Sequence, residues 1–314
     1  MGVLFLIVII GYICGKTHVM NQQFSKGLSN LIVNLTCPLL IMSSTMGDKM
    51  PDRSLILPLL GIGTVTYALL LTLARHLPKL LGLSNPHSTA TDHDEGLFSF
   101  MLAFGNVGFI GYPVVASIFG PEAVFYASVL NVPNTITVYI WGAQFIAGRE
   151  AVGNIWTRLY SPGLIGTYIS IIIVAFGWKT PQLLSQPCTL VGNITVPGSL
   201  LIIGYSISQI PAKHMAGGWQ VWLMTPFRLI ILPLCVWGIF CAINQVPGID
   251  INQTSLAINT LIIAMPVASF GTIFCLKYGR DETVMAQGTF LTTLLALATI
   301  PLVAWIIQYF VPVN

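Results

Sequence analysis

The sequence predicts an all-α polytopic membrane protein, in which ten transmembrane helices form two inverted five-helix repeats and helices four and nine are broken. Three observations support this prediction. Only 7% of the 314 residues are charged, 55% are apolar and the mean hydropathy is +0.82, a composition that no soluble domain with a polar surface could sustain. A helix needs about 20 apolar residues to span the hydrocarbon core of a bilayer, and apolar stretches of about that length recur along the chain. A short motif also occurs twice, once in each half.

Hydrophobic windows bounded by glycine, proline and charged residues define the spans. Helices are expected rather than barrel strands, because the windows far exceed the roughly ten residues of a barrel strand. A helix also satisfies its own backbone hydrogen bonds in lipid. The first window lacks a basic start and a cleavage site, so a helix is expected there rather than a removed signal peptide. The ten predicted spans are 2–16, 24–46, 54–75, 96–119, 122–147, 161–177, 188–210, 219–243, 252–277 and 282–311.

Basic residues are distributed unevenly between the two sides. Nine of them fall in the odd-numbered loops and three in the even-numbered loops. By the positive-inside rule the odd loops are cytoplasmic, so a multi-pass protein of the inner (plasma) membrane with both termini outside is expected. The longest interruption, residues 76–95, is interpreted as a flexible cytoplasmic loop rather than a domain.

The motif N-x-T-x-P indicates an internal repeat. It occupies residues 34–38 and 193–197, and the same displacement places Gly120 on Gly279. Because each half contains five spans, an odd number, the two halves are expected to have opposite topology in the membrane. The expected organisation is a first five-helix repeat at 1–147, a short cytoplasmic connector at 148–160 and a second five-helix repeat at 161–314.

Glycines and prolines interrupt spans four and nine at similar depth. Segment 104–113 of span four contains three glycines and Pro113, and segment 264–271 of span nine contains Pro266 and Gly271. Paired interruptions in corresponding helices point to a transport site. Each break would offer a half-helix N-terminus, whose N–H groups and partial positive charge suit a carboxylate. The alternative is a pair of kinked helices whose glycines allow close packing.

Three further positions could contribute to such a site. Asn131 in span five is either a substrate ligand or a partner in a hydrogen bond between helices, because a buried amide is costly without a partner. Arg228 in span eight could snorkel to the cytoplasm, form a structural pair or attract an anion. Pro38 could kink its helix for packing or free backbone groups near a ligand.

Several kinds of chemistry lack support in the sequence. None of the ten acidic residues falls at mid-span and all five histidines lie in loops, which argues against a buried proton relay and against an intramembrane enzyme. The six cysteines show no metal-ligand spacing, so no metal, cofactor or catalytic residue is expected. The basic residues form no face for nucleic acid. A channel would require a continuous polar stripe, whereas the polar positions cluster at the breaks.

The pattern Asn106-x-x-x-x-Gly111-x-Pro113 is similar to the fourth-helix crossover motif of the auxin efflux carrier family, which includes the plant PIN carriers and bacterial relatives. The chain resembles this family over essentially its whole length. The resemblance implies that Asn106 contacts the substrate carboxylate and that Pro113 lies where two broken helices cross. Asn131 falls where the plant carriers place a substrate-facing glutamine. The segment 228–233 is similar to the basic residue and proline found in the eighth helix of bacterial members.

The same resemblance implies a scaffold of helices one, two, six and seven, a mobile part built from the other six, elevator-type alternating access and a homodimer. Helices two and seven would form much of the dimer contact. Relatives carry carboxylates such as auxin, malate or malonate. The chain departs from the plant pattern in three places. Gly271 would supply the ninth-helix break with Pro266 one turn earlier, the third helix lacks the plant Asp and Lys pair, and no long cytoplasmic loop follows helix five.

The expected function is therefore secondary active transport of small organic anions through the lipid bilayer, with proton or sodium coupling left open. A ligand sensor that has this fold but does not transport is the alternative, since a binding site alone looks the same in sequence. The candidate substrate-binding residues are Asn106, Gly111, Pro113, Asn131, Pro266, Ser269, Gly271, Pro38 and Arg228.

Overall fold

A computed structural model describes residues 2–47, 50–83, 94–148, 160–209, 218–280 and 282–310. Within these ranges every regular element is helical, apart from one isolated β-bridge. Continuous helical stretches are counted as one and numbered in chain order. They are α1 (Gly2–Lys16), α2 (Gln22–Ser43), α3 (Arg53–Leu80), α4 (Asp94–Ala103), α5 (Val107–Phe119), α6 (Ala123–Ala147), α7 (Pro162–Phe176), α8 (Gln182–Ser208), α9 (Trp219–Ile243), α10 (Gln253–Ile263), α11 (Phe270–Lys277) and α12 (Thr283–Phe310).

The chain is a polytopic helical membrane protein. Among the described residues, α2, α3, α6, α8, α9 and α12 are each long and apolar enough to cross a bilayer. A helix lies over each of the ten predicted spans, and spans four and nine are each divided between two shorter helices. Some boundaries differ from the prediction, since α3 continues to Leu80 and α8 begins at Gln182. Residues 84–93 of the predicted loop 76–95, most of the connector 148–160 and residues 210–217 lie outside the described ranges.

Prolines deform three of the helical stretches in the same way. In each case a π-helical turn ends two residues before the proline. Proline has no N–H and its ring clashes with a carbonyl of the preceding turn, so a wider turn lets the helix continue past it. The kink expected at Pro38 therefore has the form of a π-bulge. The three pairs are Ile32–Thr36 with Pro38, Val107–Gly111 with Pro113 and Phe227–Ile231 with Pro233.

The helices separate into two compact units. The first unit contains residues 1–60, 107–132 and 159–210. Within it α1 packs along the second part of α8, and glycines permit the close approach, because a Cβ on Gly11 or on Gly204 would collide with backbone atoms of the other helix. The second part of α2 packs on α7 and on the first part of α8.

Two threonines from the repeated motif meet inside this first unit. Thr195 Oγ1 donates a hydrogen bond of 2.9 Å to Thr36 Oγ1. Both side chains are fully buried. The two residues are 159 positions apart, which is the displacement of the motif itself.

The second unit contains residues 61–106, 133–158 and 211–314. Its core includes the rings of Phe100 and Phe104, which are tilted at 49° to each other, with Phe274 edge-on to Phe100. Both the segment 1–147 and the segment 161–314 contribute helices to each unit. The compact units therefore divide the chain differently from the predicted repeats.

Candidate functional site

The interruptions of spans four and nine pair with each other inside the second unit. Gly105 and Val267 form the antiparallel β-bridge. The Asn106 N–H donates to the carbonyl of Pro266 over 2.8 Å, and the Ala268 N–H donates to the carbonyl of Phe104 over 3.0 Å. Two short extended segments thus replace helical hydrogen bonds with hydrogen bonds between them.

This pairing leaves a helix-end carbonyl without its ordinary donor. In an uninterrupted helix the Asn106 N–H would bond the carbonyl of Leu102, four residues earlier, but here it bonds Pro266. Arg228 supplies the missing donor, since its Nη1 lies 2.9 Å from the Leu102 oxygen. Its Nε donates to the carbonyl of Met265 over 3.1 Å. One guanidinium therefore bonds a carbonyl at each interruption.

The Arg228 side chain is only 1% exposed, so it does not snorkel to the cytoplasm. It lies in the π-helical turn of α9, directly before the Leu232-Pro233 step. The third guanidinium nitrogen, Nη2, lies against Gly105, where a Cβ would collide with it. The absence of a side chain at position 105 therefore leaves room for the guanidinium in this position.

A threonine of α12 completes the pairing. The Val267 N–H donates to Thr292 Oγ1 over 3.1 Å, and the Thr292 hydroxyl donates to the carbonyl of Gly288 over 2.7 Å. Thr292 is fully buried. Buried backbone groups are costly unless they have partners, and here a side chain provides one.

Asn106, the last residue of one paired segment, and Ser269, which follows the other, each lie directly before a half-helix. Asn106 Nδ2 donates to Ser269 Oγ over 3.1 Å. Ser269 is the N-cap residue of α11 and makes no side-chain capping bond, while Asn106 immediately precedes α5. Ser269 is exposed and Asn106 partly exposed, in contrast to the buried segment 264–268. The first N–H groups of a helix lack intrahelical partners and carry partial positive charge, which suits an anion.

The remaining predicted site residues lie elsewhere. Gly111 and Pro113 are buried in α5, and the paired segments are 104–106 and 266–268, so Pro113 lies beyond the pairing. Gly271 lies within α11 rather than in the interruption. A Cβ there would collide with Phe100 and Met285, so this glycine serves side-chain packing.

The first unit holds two further candidates. Asn131 Nδ2 donates to Tyr112 Oη over 3.0 Å, which joins α6 to α5. Pro38 is buried against Gly166 of α7, where an added Cβ would come within 3.0 Å of the Pro38 carbonyl oxygen. The structure thus brings Asn106, Pro266, Ser269 and Arg228 together in the second unit, and places Gly111, Pro113, Asn131 and Pro38 in the first.

Sequence reasoning missed Thr292 and Tyr112. It also missed a fully buried pair in the second unit, in which Asn259 Nδ2 donates to Thr66 Oγ1 over 2.9 Å. Each of these residues carries a hydroxyl or an amide within an apolar window, which is a signal that could have been followed.

A cavity of about 410 Å³ lies within the second unit, between α3 and α6. Its lining combines aromatic side chains, including Tyr67 and Trp141, with hydroxyls and two basic groups, Arg75 and His76. Both basic residues are exposed. The size is within the range of small-molecule pockets.

Comparison with known proteins places the chain in a family. The model of the family described as "Membrane transport protein" matches residues 1–304. An "Uncharacterized transporter" of Methanocaldococcus jannaschii is 26% identical over 323 residues, which cover 97% of this chain and 97% of the relative. A second protein named "Uncharacterized transporter", from Methanothermobacter thermautotrophicus, is 22% identical and covers 95% of this chain and 94% of its own.

A protein of Rhizobium meliloti named "Putative malonate transporter" is 20% identical over 316 residues, which cover 97% of this chain and 93% of the relative. The matches therefore extend over nearly the full length of both partners. The chain belongs to the membrane transport protein family, which is the auxin efflux carrier family that its crossover motif resembles.

Proposed function

We propose that this protein is a secondary active transporter that carries small carboxylates across the inner membrane, with its substrate site at the paired interruptions. The hydrogen bond between Asn106 and Ser269 is the observation that carries the proposal. It joins the two residues that directly precede the half-helices α5 and α11. A carboxylate in contact with both side chains would also reach N–H groups at the start of α11.

The charges of the site favour an anion. Arg228 adds a permanent positive charge behind the paired segments, and the partial positive end of α11 faces Ser269. The relative whose name includes malonate supports a short carboxylate as the substrate class. Malonate, malate and indole acetate, which differ in size and charge, are therefore the substrates to compare.

The proposed architecture consists of ten transmembrane helices in two inverted repeats, 1–147 and 161–314. The bond between Thr36 and Thr195 supports it, because equivalent residues meet at a two-fold axis that relates two repeats. Gly120 and Gly279, equivalent at the same displacement, both have positive φ, +93° and +66°. Both termini would face outward, according to the distribution of basic residues.

Elevator-type alternating access and a homodimer complete the proposal. The second unit would carry the substrate site, since Asn106, Ser269 and Arg228 all belong to it. Helices α1, α2, α7 and α8 of the first unit would form the scaffold, with α2 and α8 contributing to the dimer. Site-directed cross-linking of paired cysteines in α2 tests the dimer independently of transport.

A transport-inactive ligand sensor would have the same binding site, and flux separates it from a carrier. The purified protein is reconstituted in liposomes, and uptake of labelled malonate, malate and indole acetate is followed under imposed pH, sodium and voltage gradients. Binding of the same compounds is measured in detergent by isothermal titration calorimetry. Saturable uptake of at least one carboxylate is expected. Binding without uptake under any gradient would identify a sensor instead.

A further inference from the structure

The carbonyl groups at the paired interruptions form an electronegative cluster. Helix α4 ends at Ala103 and helix α10 at Ile263, and the C-terminal end of a helix carries partial negative charge. In transporters with broken helices, such ends and unwound carbonyls commonly coordinate the coupling sodium ion or proton. The Leu102 and Met265 carbonyls belong to these helix ends and unwound segments. Here both accept hydrogen bonds from Arg228 rather than bind an ion.

All three guanidinium nitrogens of Arg228 lie close to backbone atoms. Nε and Nη1 bond the two carbonyls, and Nη2 lies against Gly105. Among the described residues, no carboxylate forms an ion pair with Arg228, so its charge is compensated by backbone dipoles. Arginine does not lose its proton in proteins, so this positive charge is permanent.

We propose that Arg228 acts as a built-in cation: it holds the two interruptions paired in place of a bound coupling ion, so that substrate binding requires no sodium. This inference rests on the proposed transport function. Arg228 is then a positioning residue, which acts on the substrate through the segments that orient Asn106 and Ser269. A direct substrate ligand would donate its guanidinium N–H groups to the substrate, whereas Nε and Nη1 donate to backbone carbonyls and Nη2 lies against Gly105.

Two consequences follow for the protein. The wild type is expected to transport malonate equally well in sodium and in choline medium. A variant without the positive charge leaves the Leu102 and Met265 carbonyls without a donor, and a small cation becomes the available replacement. Arg228→Ala is therefore sodium-responsive, while Arg228→Lys keeps a charge near the carbonyls and stays independent of sodium, although lysine lacks the planar fork that spans both oxygens.

The test compares wild type, Arg228→Ala and Arg228→Lys in sodium and in choline chloride at equal ionic strength. Malonate uptake and the melting temperature in detergent are both measured. In choline, Arg228→Ala is expected to lose about tenfold or more in uptake, because one partner of a buried charged interaction is removed. Sodium is expected to restore part of that uptake and to raise the melting temperature of Arg228→Ala, but not of the wild type.

Sodium-dependent uptake by the wild type would overturn the proposal, as would a folded Arg228→Ala that responds to sodium no more than the wild type does. If Arg228→Ala does not fold in either medium, Arg228→Lys decides: a folded, sodium-independent variant supports the built-in cation and a sodium-dependent one contradicts it. The melting temperatures can be measured whether or not the protein transports malonate. If the wild type moves no carboxylate, the transport proposal fails while the cation response of the variants still tests the role of Arg228.

Discussion

Asn106 and Ser269 are 163 residues apart in the chain, and the Nδ2 of the first donates a 3.1 Å hydrogen bond to the Oγ of the second. Each residue lies at the point where its helix resumes after an interruption. Backbone pairing between 104–106 and 266–268 holds the two interruptions together. A polar pair is thus fixed at the start of two half-helices in an otherwise apolar chain.

Ser269→Ala removes the hydroxyl that accepts from Asn106. We expect the KM for malonate to rise roughly two- to tenfold, the range of a single hydrogen bond, with little change in melting temperature because Ser269 is exposed. Initial rates of uptake in proteoliposomes measure KM. Ser117→Ala is the matched control, since Ser117 bonds only the Val114 carbonyl of its own turn. Equal KM values in the two variants would exclude Ser269 from the site.

Gly105→Ala introduces a Cβ that collides with the Arg228 guanidinium and crowds Met265. Overpacking of this kind costs about 1–3 kcal/mol, so we expect a lower melting temperature in detergent. Gly238→Ala in α9 is the control, because a Cβ there meets nothing within 4 Å and alanine favours a helix. The role assigned to Gly105 is incorrect if both variants melt at the wild-type temperature.

Thr292→Val keeps the shape of the side chain but removes the acceptor for the Val267 N–H. A buried donor without a partner costs about 1–3 kcal/mol, and we expect both stability and malonate uptake to fall because the paired segments loosen. Thr293→Val is the control, since the Thr293 hydroxyl bonds only the Thr289 carbonyl of its own helix. Thermal unfolding of both variants provides the comparison, and the larger fall in melting temperature is expected for Thr292→Val.

Arg75→Gln removes a positive charge from the cavity between α3 and α6. If this cavity attracts the anion, KM rises several-fold at low salt and the difference fades as ionic strength increases, because exposed charges are screened. Lys79→Gln on the same helix is the control, since exposed Lys79 pairs with Glu95 over 3.6 Å and does not line this cavity. A change in KM that does not depend on salt, or an equal change in both variants, would show that the cavity does not attract the anion.

The placement of the helices and their interruptions follows from sequence in a simple way. Apolar windows locate helices because the bilayer core tolerates few charges, and glycine and proline mark where a helix stops. Pro266 was expected in the break of span nine and lies there, bonded through its carbonyl to Asn106. Pro113 was expected at the crossing, but a π-helical turn before it lets α5 continue past it.

The sequence alone does not identify the hydrogen-bond partners of the buried polar residues. Arg228 was interpreted with three alternatives, because a charge in an apolar window can reach the interface, a partner or a ligand. Arg228 is buried with hydrogen bonds to the carbonyls of Leu102 and Met265, which are 126 and 37 positions away along the chain. Gly271 was interpreted as part of the break, whereas its lack of a side chain makes room for Phe100 and Met285. Such packing depends on tertiary contacts that hydropathy does not report.

Malonate uptake into proteoliposomes by the wild type, Asn106→Ala and Asn244→Ala tests the central claim most directly. Asn244 provides the control because its side chain bonds the Ile251 N–H at the end of α9, away from the interruptions. Saturable uptake that is lost in Asn106→Ala and retained in Asn244→Ala is the predicted result. Uptake that survives Asn106→Ala unchanged would mean that the carboxylate does not bind at the paired interruptions.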